Sequence, residues 1–200
     1  MNSRTILLVG LILLIALATN WIIDVSEQQP PQEATARNDP DMYLVNAEVT
    51  QFDENGNLEN QLTANKMTHF PLTDVTTLKT PNLKLYSGPH TAPWDIDAKN
   101  GRLLPKSPLR DESVELWDNV VADRKQADGS FVNIKSQSLT VFPKKNYAET
   151  NDKVSIDNNQ GQTSAGAMRA YLDPGRYEFS SKDGQRVVTI LLPTPRNEAG

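Results

Sequence analysis

From Tyr43 onward, apolar residues recur at every second position. Val45, Ala47 and Val49 alternate with Leu44, Asn46, Glu48 and Thr50, and the same period returns in Leu83/Leu85, Trp94/Ile96/Ala98, Val114/Leu116 and Val132/Ile134. It continues in Leu139/Val141, Val154/Ile156 and Tyr177/Phe179. Successive side chains of a strand point to opposite faces, so each run predicts a strand with one apolar and one solvated face. Turn chemistry agrees. Asn55-Gly56, Asn100-Gly101, Asp128-Gly129 and Asp183-Gly184 are Asx-Gly pairs, the residues that best tolerate the positive φ of tight hairpins. No window of this body carries a sustained i, i+3, i+4, i+7 apolar stripe. The pattern predicts an all-β domain over residues 43–192, built from many short antiparallel strands.

Three segments restate one motif. Leu62-Thr63-Ala64, Ile96-Asp97-Ala98 and Ile134-Lys135-Ser136 each place a small residue two positions after an apolar one, 34 and then 38 residues apart. Similar units stacked side by side would join their apolar faces into one surface. The small residues then mark either a tightly packed seam or a groove kept open, and periodicity alone fits both.

A different pattern precedes the strands. Ile6 to Ile23 is apolar except at Gly10, Thr19 and Asn20, and eighteen helical residues span roughly 27 Å, just enough to cross a bilayer. Arg4 precedes this run while Asp24 and Glu27 follow it, which places the N-terminus in the cytoplasm and the β domain on the far side of the membrane. Ala16-Leu17-Ala18 also fits a cleaved signal peptide, but Trp21-Ile22-Ile23 extends the apolar run past that site and favours a retained anchor. Residues 24–42, with Pro30, Pro31 and Pro40 among Gln and Glu, read as a flexible tether, and 193–200 as a disordered tail.

Composition removes several function classes. The chain has 200 residues and no cysteine, so disulfides, thiolate metal sites and cysteine nucleophiles are excluded. Its formal net charge is −5 with the basic residues scattered, which argues against a nucleic-acid partner. Candidate chemistry is sparse. His69 and His90 sit beside prolines in expected turns, Asp95 and Asp97 share a strand face without a base or nucleophile, and Asp53-Glu54-Asn55-Gly56-Asn57 resembles a hairpin more than a calcium loop. No enzyme, metal or cofactor is expected. The run Arg186 to Leu192 is apolar on both faces, so it is either an internal strand or an edge that pairs with another protein's strand.

Taken together in their order and spacing, the anchor, Asn38-Asp39-Pro40, Asp53 to Leu58, Leu62-Thr63-Ala64, Pro81-Asn82-Leu83 and Trp94 to Lys99 resemble the LptC family. Val114 to Val120 adds what looks like that family's strand, turn and valine return. The resemblance implies a twisted, slightly open antiparallel β-jellyroll of the OstA-like type, carrying lipopolysaccharide between an inner-membrane ABC transporter complex and a soluble periplasmic jellyroll bridge protein. It also implies that acyl chains ride inside. By alternation the interior would comprise Val45, Ala47, Leu62, Leu78, Leu83, Leu85, Trp94, Ile96, Leu116, Ile134, Val141 and Ile156. Gly56 would serve the transporter-side contact, and Val187, Val188 and Ile190 the contact with the bridge protein.

Overall fold

The computed structural model describes residues 38–88, 91–173, 175–182 and 184–193. The expected anchor, most of the tether, His90, and the tail beyond Pro193 lie outside the described residues. Among the described residues, no helix is long and apolar enough to cross a membrane.

The described residues contain fourteen strands in one antiparallel sheet. In chain order they are β1 (Met42–Phe52), β2 (Leu58–Phe70), β3 (Val75–Lys79), β4 (Asn82–Leu85), β5 (Trp94–Asp97), β6 (Asn100–Leu104) and β7 (Ser113–Lys125). There follow β8 (Phe131–Phe142), β9 (Tyr147–Thr150), β10 (Val154–Asn158), β11 (Gly161–Ala165), β12 (Ala167–Tyr171), β13 (Arg176–Ser180) and β14 (Val188–Leu191). The order simplifies once strands are read as bent. β1, β2, β7 and β8 run 11 to 13 residues unbroken, while β3/β4, β5/β6, β9/β10, β11/β12 and β13/β14 are long strands interrupted at their middles. Four unbroken and five interrupted strands make a meander of nine, each pairing with its predecessor and successor. Every strand turns at the same line, which divides the sheet into two leaves. The first leaf contains β4, β5, β10, β11 and β14 with the adjoining halves of the long strands; the second contains β3, β6, β9, β12 and β13 with the other halves.

The bend line has a local chemical cause. Asn46 (φ 49°), Thr80 (φ 46°), Asp118 (φ 67°) and Asn119 (φ 63°) adopt left-handed backbone along it, a conformation that Asn and Asp tolerate through their short polar side chains. Thr80 is followed by Pro81, which cannot donate to a ladder. The bend residues bond to one another instead: Thr80 N–H donates to Lys99 O (2.8 Å), Ala98 N–H to Pro81 O (3.1 Å) and Lys99 N–H to Asp118 O (3.2 Å). Asp118-Asn119, a turn by the family resemblance, is a bulge inside β7, across which the register with β8 shifts between Trp117 and Val120. That extra residue keeps Leu116 and Val120 both buried. Asn100-Gly101 is not a hairpin either; both residues lie in β6, and a Cβ at Gly101 would stand 2.9 Å from Leu116 Cδ2 and 3.0 Å from Glu115 O.

The small residues of the repeated motif gather at this line. Ala64 is buried opposite Ala47, Ala98 bonds across the bend, and Ser136 precedes the bulge with its hydroxyl 3.1 Å from Thr150 Oγ1 and 3.2 Å from Lys153 O. They mark a packed seam. Gly166, between β11 and β12, continues it: a Cβ there would meet Lys182 N at 2.5 Å.

Candidate functional site

Each leaf presents a row of inward side chains that runs across all nine bent strands. On the first leaf, register joins Val49 to Leu62, Leu62 to Leu83, Leu83 to Ile96 and Ile96 to Ala122. The row goes on through Ile134, Ile156, Thr163 and Thr189. On the second leaf, Leu103, Val114, Val141, Ala148, Ala170 and Tyr177 form an equivalent row that begins at Met42, His69 and Thr76. Residues from both leaves belong to one hydrophobic cluster, so the leaves face each other.

Ten of the twelve residues expected in the interior are buried there: Leu62, Leu78, Leu83, Leu85, Trp94, Ile96, Leu116, Ile134, Val141 and Ile156. Ala47 packs half-buried against the cluster. Val45 does not. It is 72% exposed and opposes the exposed Lys66, because left-handed Asn46 breaks the alternation of β1. On that side of the bend it is Leu44 that opposes buried Met67.

The free ends of the leaves meet at a mouth. A cleft of about 630 Å³ spans it, with Asp53, Leu58, Tyr86 and Pro93 on one lip and Asn146 and Asp173 on the other. Nearby, Arg124 breaks the apolar pattern of the interior. It follows Val120 and Ala122 on the inward face of β7 and pairs with Val132. Its Nη1 crosses to the other leaf to donate to Leu172 O (3.2 Å), while the guanidinium carbon lies 4.7 Å from the Trp94 ring centre. Trp94 is fully buried. Its Nε1–H, Tyr177 Oη and Ser87 Oγ are buried without a hydrogen-bond partner among the described residues. Burial pushes the Tyr177 hydroxyl above its ordinary pKa, and the charge of Arg124 opposes that shift. Alternation of apolar residues does not single out Arg124. The signal was available, since Val120, Ala122 and Arg124 share one parity.

Among the described residues, both ends of the meander are unpaired edges. β1 bonds only to β2, and the β1–β2 hairpin is shaped by Asp53, whose Oδ1 accepts from Asn55 N (2.9 Å) and Asn57 N (2.8 Å). Hydrogen bonds from Asn57, side chain first and then backbone, lower the Asp53 pKa. Gly56 sits at the hairpin tip with φ +79° and open space around its Cβ position. His69 ties the other end of β1, its Nδ1 2.7 Å from Asp41 Oδ1 and its Nε2 3.3 Å from Asp74 Oδ1. At the opposite end β14 bonds only to β11, with Val188 54%, Ile190 62% and Leu191 73% exposed. Val187, just before it, is 42% exposed. The run is therefore an edge strand, not an internal one. Asp95, on the outer face, pairs with Lys84 at 2.6 Å and accepts from Asn82, so it is held in a surface ladder with no catalytic partner.

An open, two-leaved antiparallel roll with an apolar interior and a free edge at each end is the class these features define. The chain belongs to the LptC-related family of lipopolysaccharide-assembly proteins, whose model matches residues 7–184. No curated protein matches it. In fold it is similar to the crystal structure of LptH, described as the LptA homologous periplasmic component of the conserved lipopolysaccharide transport device from Pseudomonas aeruginosa. The TM-score is 0.55 at 9% identity, over 67% of this chain and 95% of that one.

Proposed function

We propose that this chain is a lipopolysaccharide-transport component, anchored in the inner membrane, that carries acyl chains between its two leaves. It would receive lipopolysaccharide from an ABC transporter complex at the β1 edge and pass it to a soluble bridge protein at the β14 edge. Two inward rows that run in register from one edge to the other, apolar from Val49 to Ile156 on the first leaf and from Leu103 to Ala170 on the second, carry this reading. Each CH₂ kept out of water is worth about 0.8 kcal/mol, so a multiply acylated lipid needs apolar cover over its whole path. Edges left unpaired at both ends suit strand-to-strand continuation into neighbouring modules.

A second reading has one observation in its favour. The interior residues are packed together, and the mouth cleft is lined by other side chains. A scaffold that joins envelope complexes without carrying lipid would look the same. Photo-crosslinkers separate the two. The transport reading expects lipopolysaccharide adducts from Ile96 and none from Asp95, with transporter and lipid copurifying in detergent. Adducts from neither position, with the protein partners still copurifying, would establish the scaffold.

A further inference from the structure

We propose that Arg124, the indole N–H of Trp94 and the hydroxyl of Tyr177 form a receptor for the phosphate of an amphiphile at the mouth between the leaves. The inference rests on the transport reading and adds to it the part of the ligand that is recognised there. Arg124 is an inward-facing cation on a wall otherwise built of Val120, Ala122, Ile96 and Ile134. Charges are placed on apolar walls at a cost, and they are retained where they have a partner or a task. No carboxylate lies within ion-pair distance of Arg124 among the described residues. Its one side-chain hydrogen bond goes to a backbone carbonyl, which leaves most of its five donors uncommitted.

The neighbours share the same bias. Trp94 Nε1–H can only donate, and it is buried, unpartnered, in the residue over whose ring the guanidinium sits. Tyr177 Oη is also buried and unpartnered, on the inward row of the opposite leaf. Donors from both leaves thus gather where Leu172 O takes up a single one of them, and the planar guanidinium fork matches a phosphate's oxygens two at a time. A phosphate held there would leave attached acyl chains next to Ile96 and Leu83, directly along the first-leaf row.

The test uses the full chain in detergent and three probes: lipid A, its fully dephosphorylated form and inorganic phosphate. The site predicts that Arg124→Gln weakens lipid A binding at least tenfold and Tyr177→Phe about threefold. Affinity for the dephosphorylated lipid should stay within twofold, and Arg124→Lys should recover only part of the loss. Inorganic phosphate should bind far more weakly than lipid A; equal affinity, abolished by Arg124→Gln, would assign the site to the free anion and overturn its role in lipid recognition. Equal loss for both lipids, or unchanged lipid A affinity in both variants, overturns the inference while leaving transport intact. Wild-type protein that binds neither lipid overturns the transport reading instead, and the phosphate arm then decides whether the anion site exists. Should Arg124→Gln fail to melt cooperatively, Tyr177→Phe decides alone, because a merely structural hydroxyl would change melting and not the ratio of the two lipid affinities.

Discussion

The two edges of the meander solve the same problem by different means. β1 is 11 residues long and stitched to β2 by polar side chains, with Gln61 Nε2 donating to Glu48 Oε1 (2.8 Å) and Asn60 Nδ2 to Gln51 Oε1 (3.0 Å). β14 is four residues long, and its side-chain link to β11 is Thr163 to Thr189 at 3.0 Å. Both edges expose apolar side chains, Tyr43, Val45 and Phe52 on β1 as well as Val188, Ile190 and Leu191 on β14, but β1 is long and fastened by polar side chains while β14 is short. Unpaired apolar edges invite pairing with another chain. The difference lies in length and fastening, so β1 is held against β2 without a partner, while the short β14 gains more from being covered.

The β14 edge is most vulnerable at Gly161. This residue has φ +143°, and a Cβ there would lie 2.0 Å from Ile190 O. Gly161→Val should detach β14 from β11, abolishing capture of the soluble bridge protein while β1-side association and the cooperative melting of the remaining sheet persist. Pull-down against each partner and amide exchange across 188–191 measure this.

Proline scanning sharpens the same edge at smaller cost. Leu192 N–H donates to Gln160 O (2.9 Å), and ladder donors alternate sides along an antiparallel strand. Val188 N–H therefore points toward β11, and Thr189 N–H points outward. Val188→Pro should release the strand, whereas Thr189→Pro should leave it seated and weaken only capture of the bridge protein. Exchange protection of the β11 amides distinguishes the two outcomes.

On the β1 side the sensitive point is Asn46. A β-branched residue in its left-handed conformation costs roughly 1–2 kcal/mol, so Asn46→Val should lower stability by about that amount while Asn46→Gly stays near neutral. Chemical denaturation checks the pair of values.

The smallest effect is a pH dependence at the same edge. Hydrogen bonds that the ring donates to Asp41 and then Asp74 raise the His69 pKa above its ordinary value. A raised histidine pKa stabilises the fold fully below the unfolded value near 6.5 and loses that contribution as pH climbs through the folded value. The protection of the amides at the start of β1, taken relative to their intrinsic base-catalysed exchange rate, should therefore fall as pH rises above neutral from its value near pH 6, and Asp41→Asn should flatten that dependence. The β14 edge, without such a group among its described residues, should show none.

Much of this was legible from alternation. Leu62, Ile96 and Ile134, singled out by their repeated motif, fall on a single inward row, because a period of two survives wherever a strand stays regular. Val45 failed where Asn46 turns left-handed, and Asp118-Asn119, a turn by the family resemblance, uses the same backbone for a bulge inside a long strand. Interrupted strands such as β3/β4 also looked short and independent, since nothing local announces that Thr80-Pro81 is a corner and not an end. Arg124 was hidden by its charge. Parity placed it inward, but polarity suggested solvent, and only the opposing leaf with Leu172 and Tyr177 reveals why a cation stays there.

The shared bend line has a metrical consequence. Because every strand turns at one line, the interior repeats by simple translation, one side chain per strand at a spacing of about 4.8 Å, so nine strands provide roughly 38 Å of track. Any strand added at either end lengthens that track by one step without altering the rest. The fold behaves as a segment of ruler, whose marks continue in phase onto whatever is laid against its ends.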